Sequence, residues 1–220
     1  NISCVLGLGM LHAKLGRTQR FSFLLLTAVA ALLSGCWSPA AGEEPAGDGG
    51  NEASYAIGDA GPAGGIVFYD KGSYSDGWRY LEAAPASTEW DQNPWGGAGT
   101  AVGATAQGTG VGQGASNTAA IVVEYGNSEP FASRADYAAK LATDLDHGGY
   151  DDWFLPSKDE LNEMYVNLQQ EGLGGFAAAP YWSSSEVDAD TAWVQSLFGS
   201  GFQGDNSKAS EPHVRAVRAF

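Results

Sequence analysis

Hydrophobic positions along this chain follow three patterns. The first is continuous: Phe21 to Leu33, "FSFLLLTAVAALL", runs for thirteen residues without a charge. Crossing a bilayer takes about 20 apolar residues, so this run is too short to span one and has the length of a signal-peptide core. The second pattern alternates. Ile66–Tyr69 is β-branched and aromatic, Trp78, Tyr80 and Glu82 share one side of "WRYLEAA", and the turn-forming "DKGSYSDG" between them predicts a hairpin. Beyond Gly175, "YWSSSE", "TAWVQSLF" and "HVRAVRAF" again read as strands, the last expected inside a sheet covered on both faces.

The third pattern repeats every three to four residues and predicts three helices. "SNTAAIVVEYG" is short and begins at Asn117 or Thr118. "SRADYAAKLATDL" has Ser133 as N-cap, Asp136 three positions on, and Tyr137, Leu141 and Leu145 at intervals of four. "SKDELNEMYVNLQQEGLGGF" carries the fullest set of signals. Ser157 and Glu160 make a capping box, Leu161, Met164, Tyr165 and Leu168 one apolar stripe, and Gly172 a left-handed end with Leu173 folding back behind it.

Composition narrows the chemistry. Of 220 residues, 31 are glycine, only three are histidine (His12, His147, His213) and two cysteine (Cys4, Cys36), which leaves little for metal or nucleophile chemistry. Eight glycines fall within Gly96–Gly114. Gly108, Gly110 and Gly112 lack the last glycine of a dinucleotide fingerprint, and no Lys-Ser/Thr pair follows as in a P-loop, so the run is expected to be a structural loop.

Both cysteines belong to the leader region. Met10 opens a start with Lys14, Arg17 and Arg20 ahead of the apolar core, and "LLSGC" at Leu32–Cys36 resembles the lipobox of bacterial lipoproteins, whose cysteine is acylated. Residues 1–35 are thus expected to be a signal peptide, 36–54 an acylated Cys36 with a disordered Gly/Pro/acidic tether, and 55–220 a single domain. Residues 36–220 hold eight Lys and Arg against 26 Asp and Glu, a formal charge of −18. Such a surface opposes nucleic acid and anionic headgroups, which leaves the lipid anchor as the expected link to the membrane.

The stretches "GGIVFYDKG", "GWRYLEAAP", "DWFLPSKDELNEMY", "YWSSSE", "AWVQ" and "VRAVRAF" together resemble the family of the C-terminal domain of Legionella collagen-like protein, from about Ile57 to Phe220. The resemblance implies an α+β, C-type-lectin-like fold: two main helices on small antiparallel sheets, with the terminal strands "GGIVFYD" and "HVRAVRAF" adjacent. It also implies an exported, often lipid-anchored surface protein, here in the bacterial envelope and outer membrane, that binds an extracellular protein or glycan. Some members are retroelement-diversified variable proteins whose C-terminal strand and loops carry the ligand face.

On that basis Val187–Ser210 is the expected display segment. Trp182 and Trp193 are expected as core pegs, and the hydroxyls of Ser183, Ser184 and Ser185 as backbone hydrogen-bond partners shaping the entrance. With Trp193 inward, Val194, Ser196 and Phe198 face out. Asp188, Asp190 and Thr191, with Phe202, Gln203, Asp205 and Asn206, complete the candidate contacts, a polar and aromatic set suited to adaptable recognition.

Competing chemistry is thinner. A serine hydrolase would need Ser183–Ser185 beside His213 or His147, and no G-x-S-x-G elbow is present. Asp144, Asp146, Asp151 and Asp152 around Gly148–Gly149 form a calcium candidate without twelve-residue loop spacing, so no cofactor is expected. Sulfatase-modifying chemistry needs cysteines that a domain downstream of an acylated Cys36 lacks. Sulfated polymers would need Arg134, Lys158, Lys208, Arg215 and Arg218 to cluster.

Overall fold

A computed structural model describes residues 53–126 and 130–220. Met10, Cys36 and the signal segment lie outside these residues, as does all but the end of the expected tether. The described residues belong to the unit Asn51–Phe220. In chain order its elements are β1 (Ile66–Ser75), β2 (Trp78–Ala83), α1 (Gly114–Gly126), α2 (Ala138–Thr143), α3 (Lys158–Met164), β3 (Pro180–Glu186), β4 (Thr191–Ser196), β5 (Gln203–Ser207) and β6 (Val217–Ala219).

The alternating segments build two three-stranded antiparallel sheets, ordered β1-β2-β6 and β3-β4-β5. The first hairpin turns on two residues, Asp76 at φ 53° and Gly77 at φ 86°. Two positive φ values give the turn whose twist matches its strands, and Asp-Gly suits it. Most of the expected "DKGSYSDG" turn is therefore strand, with irregular register between Asp70 and Ser75. The terminal strand joins this sheet through β2, Glu82 opposite Arg218, and not through β1 as the sequence suggested. Both ends of the domain still meet: the Tyr55, Tyr80 and Phe220 rings pack with centroids 5.2–5.5 Å apart.

The helices number three among the described residues, where the family resemblance implied two main ones. Helix α3 begins as expected: Ser157 Oγ accepts from Glu160 N, and Glu160 accepts from Ser157 N at 2.7 Å. It continues into a π-helical turn, Tyr165–Gln169, and ends at Gly172 (φ 71°), where Leu173 N reaches back to Leu168 O. Helix α1 starts earlier than Asn117, at Gly114, because Glu160 Oε1 accepts from the Gly112 and Gly114 amides and supplies the cap from a distant residue. Helix α2 starts later than Ser133 and is led by Tyr137 in extended geometry. Asp136 forms a bidentate pair with Arg134 at 2.6 and 2.8 Å.

Two cores result. Trp95, Ile121, Tyr125, Tyr137, Trp153, Trp182 and Val194 fill one between α1, α2 and the inner face of β3-β4. Phe68, Leu81, Leu161, Met164, Leu168, Leu197 and Val217 fill the other, where the α3 stripe meets the first sheet. Burying each large apolar side chain contributes roughly 1.5–3 kcal/mol before entropy is counted.

The glycine-rich run does cradle anions, and the anions are the protein's own. Glu186 is fully buried and accepts from Val102 N at 2.8 Å and Gly103 N at 2.7 Å, with Lys208 Nζ 2.6 Å away. Glu160 holds Gly112 and Gly114, and Glu82 holds Ala63 and Gly65 while pairing with Arg218. A Cβ on Gly114 would lie 2.2 Å from Glu160 Oε2, so glycine is required there for the carboxylate to approach.

Candidate binding surface

Register decides which face of β4 meets solvent. Trp182 lies opposite Val194, so these two share the inner face, and Ala192 joins them; all three are buried. A tryptophan on β3 leaves room only for small partners across from it, which turns Trp193 outward. The expected orientation is thus reversed. Trp182 is a core peg, with Nε1 donating to Asn93 O at 2.9 Å, whereas Trp193 is half-buried on the outer face beneath the Lys158 ammonium, 4.3 Å from its ring. Val194 leaves the list of contact residues.

The remaining candidates divide between the two ends of β4, about 17–20 Å apart for six extended residues. At one end, Asp188 Oδ1 accepts from the amides of Asp190 and Thr191 and from the Thr191 hydroxyl, closing the β3–β4 turn. Those donors, the Asp190 amide first, hold its carboxyl below the usual carboxylate range. Asp190 O accepts from Lys208 N, and Asn206 Oδ1 accepts from Ser207 N and the Ser210 hydroxyl. Here Asp188, Thr191 and Asn206 make turns, and only the Asp190 carboxylate is left outward.

At the other end, residues 197–202 form the β4–β5 tip. Phe202 is 70% exposed and Phe198 48%, while Leu197 between strand and tip is buried. Gly199 and Gly201 take φ of 61° and 66°, and Tyr165 OH donates to Gly199 O at 2.8 Å. The tip is held to the π-helical turn: a Cβ on Gly201 would lie 2.2 Å from the Tyr165 ring. Beneath it, Gln203 Nε2 donates to Lys158 O and Gln195 Oε1, and Gln195 Nε2 donates to Asn162 Oδ1 and Gly201 O. Gln203 is bound into this amide network, Ser196 Oγ donates to Phe198 O, and Asp205 stands exposed opposite Trp193. At this end Phe198, Phe202, Asp205 and the flank of Trp193 are the side chains left for a ligand.

The serines are fully buried. Ser183 Oγ donates to Trp193 O and Ser185 Oγ to Gly108 O, while Ser184 Oγ accepts from Asn117. The histidines engage other groups: His213 Nδ1 lies 3.0 Å from Glu89 Oε1, and the His147 ring packs beside Trp153. Glu89 also pairs with Arg215 and accepts from Tyr181 OH, whose pKa is raised by burial first and by that carboxylate second.

The four-aspartate calcium candidate does not assemble. Asp144 pairs with Lys140, Asp152 pairs with Arg218, and among the described residues no group of three His, Cys, Asp or Glu side chains is placed to hold a metal. Nor do the cations cluster. Lys208 lies with Glu186, Arg215 with Glu89, Arg218 with Glu82 and Asp152, Arg134 with Asp136, and Lys158 over Trp193.

Sequence reasoning missed a cleft of about 470 Å³ between the loop at 92–100, the segment at 130–136, and Ala209 and Glu211. Gln92 at its rim holds φ 58°, one of two non-glycine residues in the left-handed region among those described. Asn93 Oδ1 is buried without a hydrogen-bond partner. Nothing in "DQNPW" foretells either feature.

These observations define a mixed helix and small-sheet domain that holds one exposed hairpin tip on a rigid frame. Residues 86–218 match the family described as the Lcl C-terminal domain, and the chain belongs to that family. Membership suggests a cell-surface, adhesin-like protein. A fimbrial protein from Bacteroides ovatus ATCC 8483 is similar at TM-score 0.46 and 12% identity, over 64% of this chain and 36% of that one. This chain therefore spans about a third of that protein's length. No curated protein matches the chain. Among the described residues, no helix is long and apolar enough to cross a membrane.

Proposed function

We propose that the chain is a displayed binding domain that engages an extracellular protein or glycan through the β4–β5 tip and the outer face of its sheet. The observation that carries this reading is the tip itself. Two phenylalanines stand in solvent on a backbone fixed by Tyr165, two left-handed glycines and a glutamine network. Aromatic side chains on a preorganised support give contact area at little entropic cost.

The reading includes a lectin-like arrangement, supported by the joining of both domain ends in one sheet while the other carries the hairpin. It also includes an acylated Cys36, display at the bacterial cell surface, and diversification of the tip among sibling copies. Binding is favoured over hydrolysis because the Ser183 and Ser185 hydroxyls are spent on backbone carbonyls, Ser184 is held by Asn117, and the His213 ring lies on Glu89. The test is a protein and glycan array probed with wild type and the Phe198→Ser/Phe202→Ser double variant. A ligand retained by wild type and lost by the folded variant supports the tip. Equal retention by both sinks it.

A further inference from the structure

The π-helical turn Tyr165–Gln169 does more than hold the hairpin tip. Between turn and tip lies a hollow of about 310 Å³, lined by Tyr165, Gln169, Gln170, Phe198 and Gly199. A π-helical turn is rare, and where one interrupts a helix it recurs at functional sites. Here it is closed by Gln170 N donating to Tyr165 O at 3.0 Å, so that Tyr165 at its start and Gln169 and Gln170 at its end border the same hollow. Across from them stands Phe198, 48% exposed on a backbone that Tyr165 OH fixes through Gly199 O.

The walls are uncharged and of two kinds. The Gln169 and Gln170 carboxamides make no hydrogen bond among the described residues, and each offers N–H donors and a carbonyl acceptor side by side. A hydroxyl likewise donates and accepts, so the two groups answer each other in either sense. A pyranose ring carries hydroxyls round its edge and C–H groups on its faces, which matches amides on one wall and a phenyl ring on the other. An apolar peptide side chain would meet only the phenyl ring and would strip water from the amides without replacing it. No cation lines the hollow to hold a sulfate or carboxylate, Glu171 next in the chain is exposed and acidic, and the formal charge of −18 over residues 36–220 repels anions further.

We infer that this hollow is a sugar subsite of the tip, which takes an uncharged pyranose residue of an extracellular glycan, its ring laid against Phe198 and its hydroxyls bonded to Gln169 and Gln170. The inference rests on the tip being the binding surface and narrows its ligand from protein or glycan to neutral glycan. The volume stands at the lower end of small-ligand sites, about 300–1,000 Å³, and suits a single sugar residue of a chain that continues into solvent.

The test is an array of neutral hexose and N-acetylhexosamine oligosaccharides beside their sulfated and sialylated counterparts, probed with the purified chain and followed by calorimetry on the members retained. Neutral members are expected to be retained, with an affinity that does not change between about 50 and 500 mM salt because no ion pair forms. The Gln169→Ala/Gln170→Ala double variant is expected to weaken them by about tenfold or more, and to leave the thermal midpoint in place because neither carboxamide has a partner in the fold. Retention of charged members alone, retention of no glycan, or undiminished binding by the glutamine variant would overturn the subsite. Undiminished binding there with loss in Phe198→Ser/Phe202→Ser removes the subsite and leaves the tip as the binding surface. Undiminished binding by both variants removes the two together.

Discussion

The two ends of β4 are six residues apart and built on opposite terms. The end at Asp188–Asp190 is closed by charge. Lys208 and Glu186 are fully buried, they fix the loop at Thr100–Gly103, and Asp188 caps its own turn. The end at 197–202 is held by shape: a tyrosine against a glycine, a glutamine pair, and two phenylalanines left in water. On the proposed reading, a surface kept free for contact gains from stability stored elsewhere. The charged end is where sequence change is costly, and the two exposed rings of the shaped end are where it is cheap.

Removing a charge should break that contrast most visibly. Lys208→Met strands a buried carboxylate, and a loss of about 3–5 kcal/mol is expected from denaturant unfolding. A loss below about 1 kcal/mol would mean that the ion pair does not carry this end. Glu160→Ala frees the Ser157, Gly112 and Gly114 amides at once and should cost about 2–4 kcal/mol, with loss of α1 helicity by circular dichroism. At the tip, Phe202→Ser should move stability by no more than about 0.5 kcal/mol, since the ring is mostly in water already. A large loss there would erase the distinction between the ends.

Acid should produce the smallest and most diagnostic change. Burial raises the Glu160 pKa above its ordinary 4.5, so its contribution is complete below 4.5 and is lost as pH rises through the folded value. The stability gap between wild type and Glu160→Gln should therefore widen on acidification toward 4.5. Asp70, Asp136 and Asp188 behave oppositely. Arg79, Arg134 and the Asp190 amide, respectively, hold them below 3.8, and what they contribute above that value disappears as pH falls through the folded values. Thermal midpoints of the wild type and of Glu160→Gln from pH 7 to pH 3 resolve both signs.

Local signals were legible where local physics decides. The Ser157–Glu160 box, the Leu161–Leu168 stripe and the Gly172 end are all written within one short stretch, and all three appear along α3, its π-helical continuation and the turn that ends it. The early start of α1 was not legible, since its cap is a carboxylate 46 residues downstream of Gly114. The facing of Trp193 was not legible either. Alternation gives two faces but not which one is buried, and that was decided by Trp182 claiming the inner side against Val194. Thr191, Gln203 and Asn206 look like free polar contacts in sequence, yet Thr191 is bound by Asp188 and Asn206 by Ser207 and Ser210 in local turns, and Gln203 by the distant Lys158 carbonyl that only the fold brings near. The cleft left no trace in the sequence, because a positive φ at Gln92 and an orphaned oxygen at Asn93 are properties of packing.

The glutamate-bound loops also set an order of assembly. Thr100 to Gly103 wait for Glu186 and Lys208, Ala84 waits for Arg215, and Gly112 with Gly114 wait for Glu160. On a ribosome, the earlier half of the domain emerges with these backbone donors and acceptors unmet and cannot settle until the later half follows. A nascent chain stalled before residue 186 should accordingly remain protease-sensitive throughout, and release of the last thirty or so residues should close the whole domain in a single step.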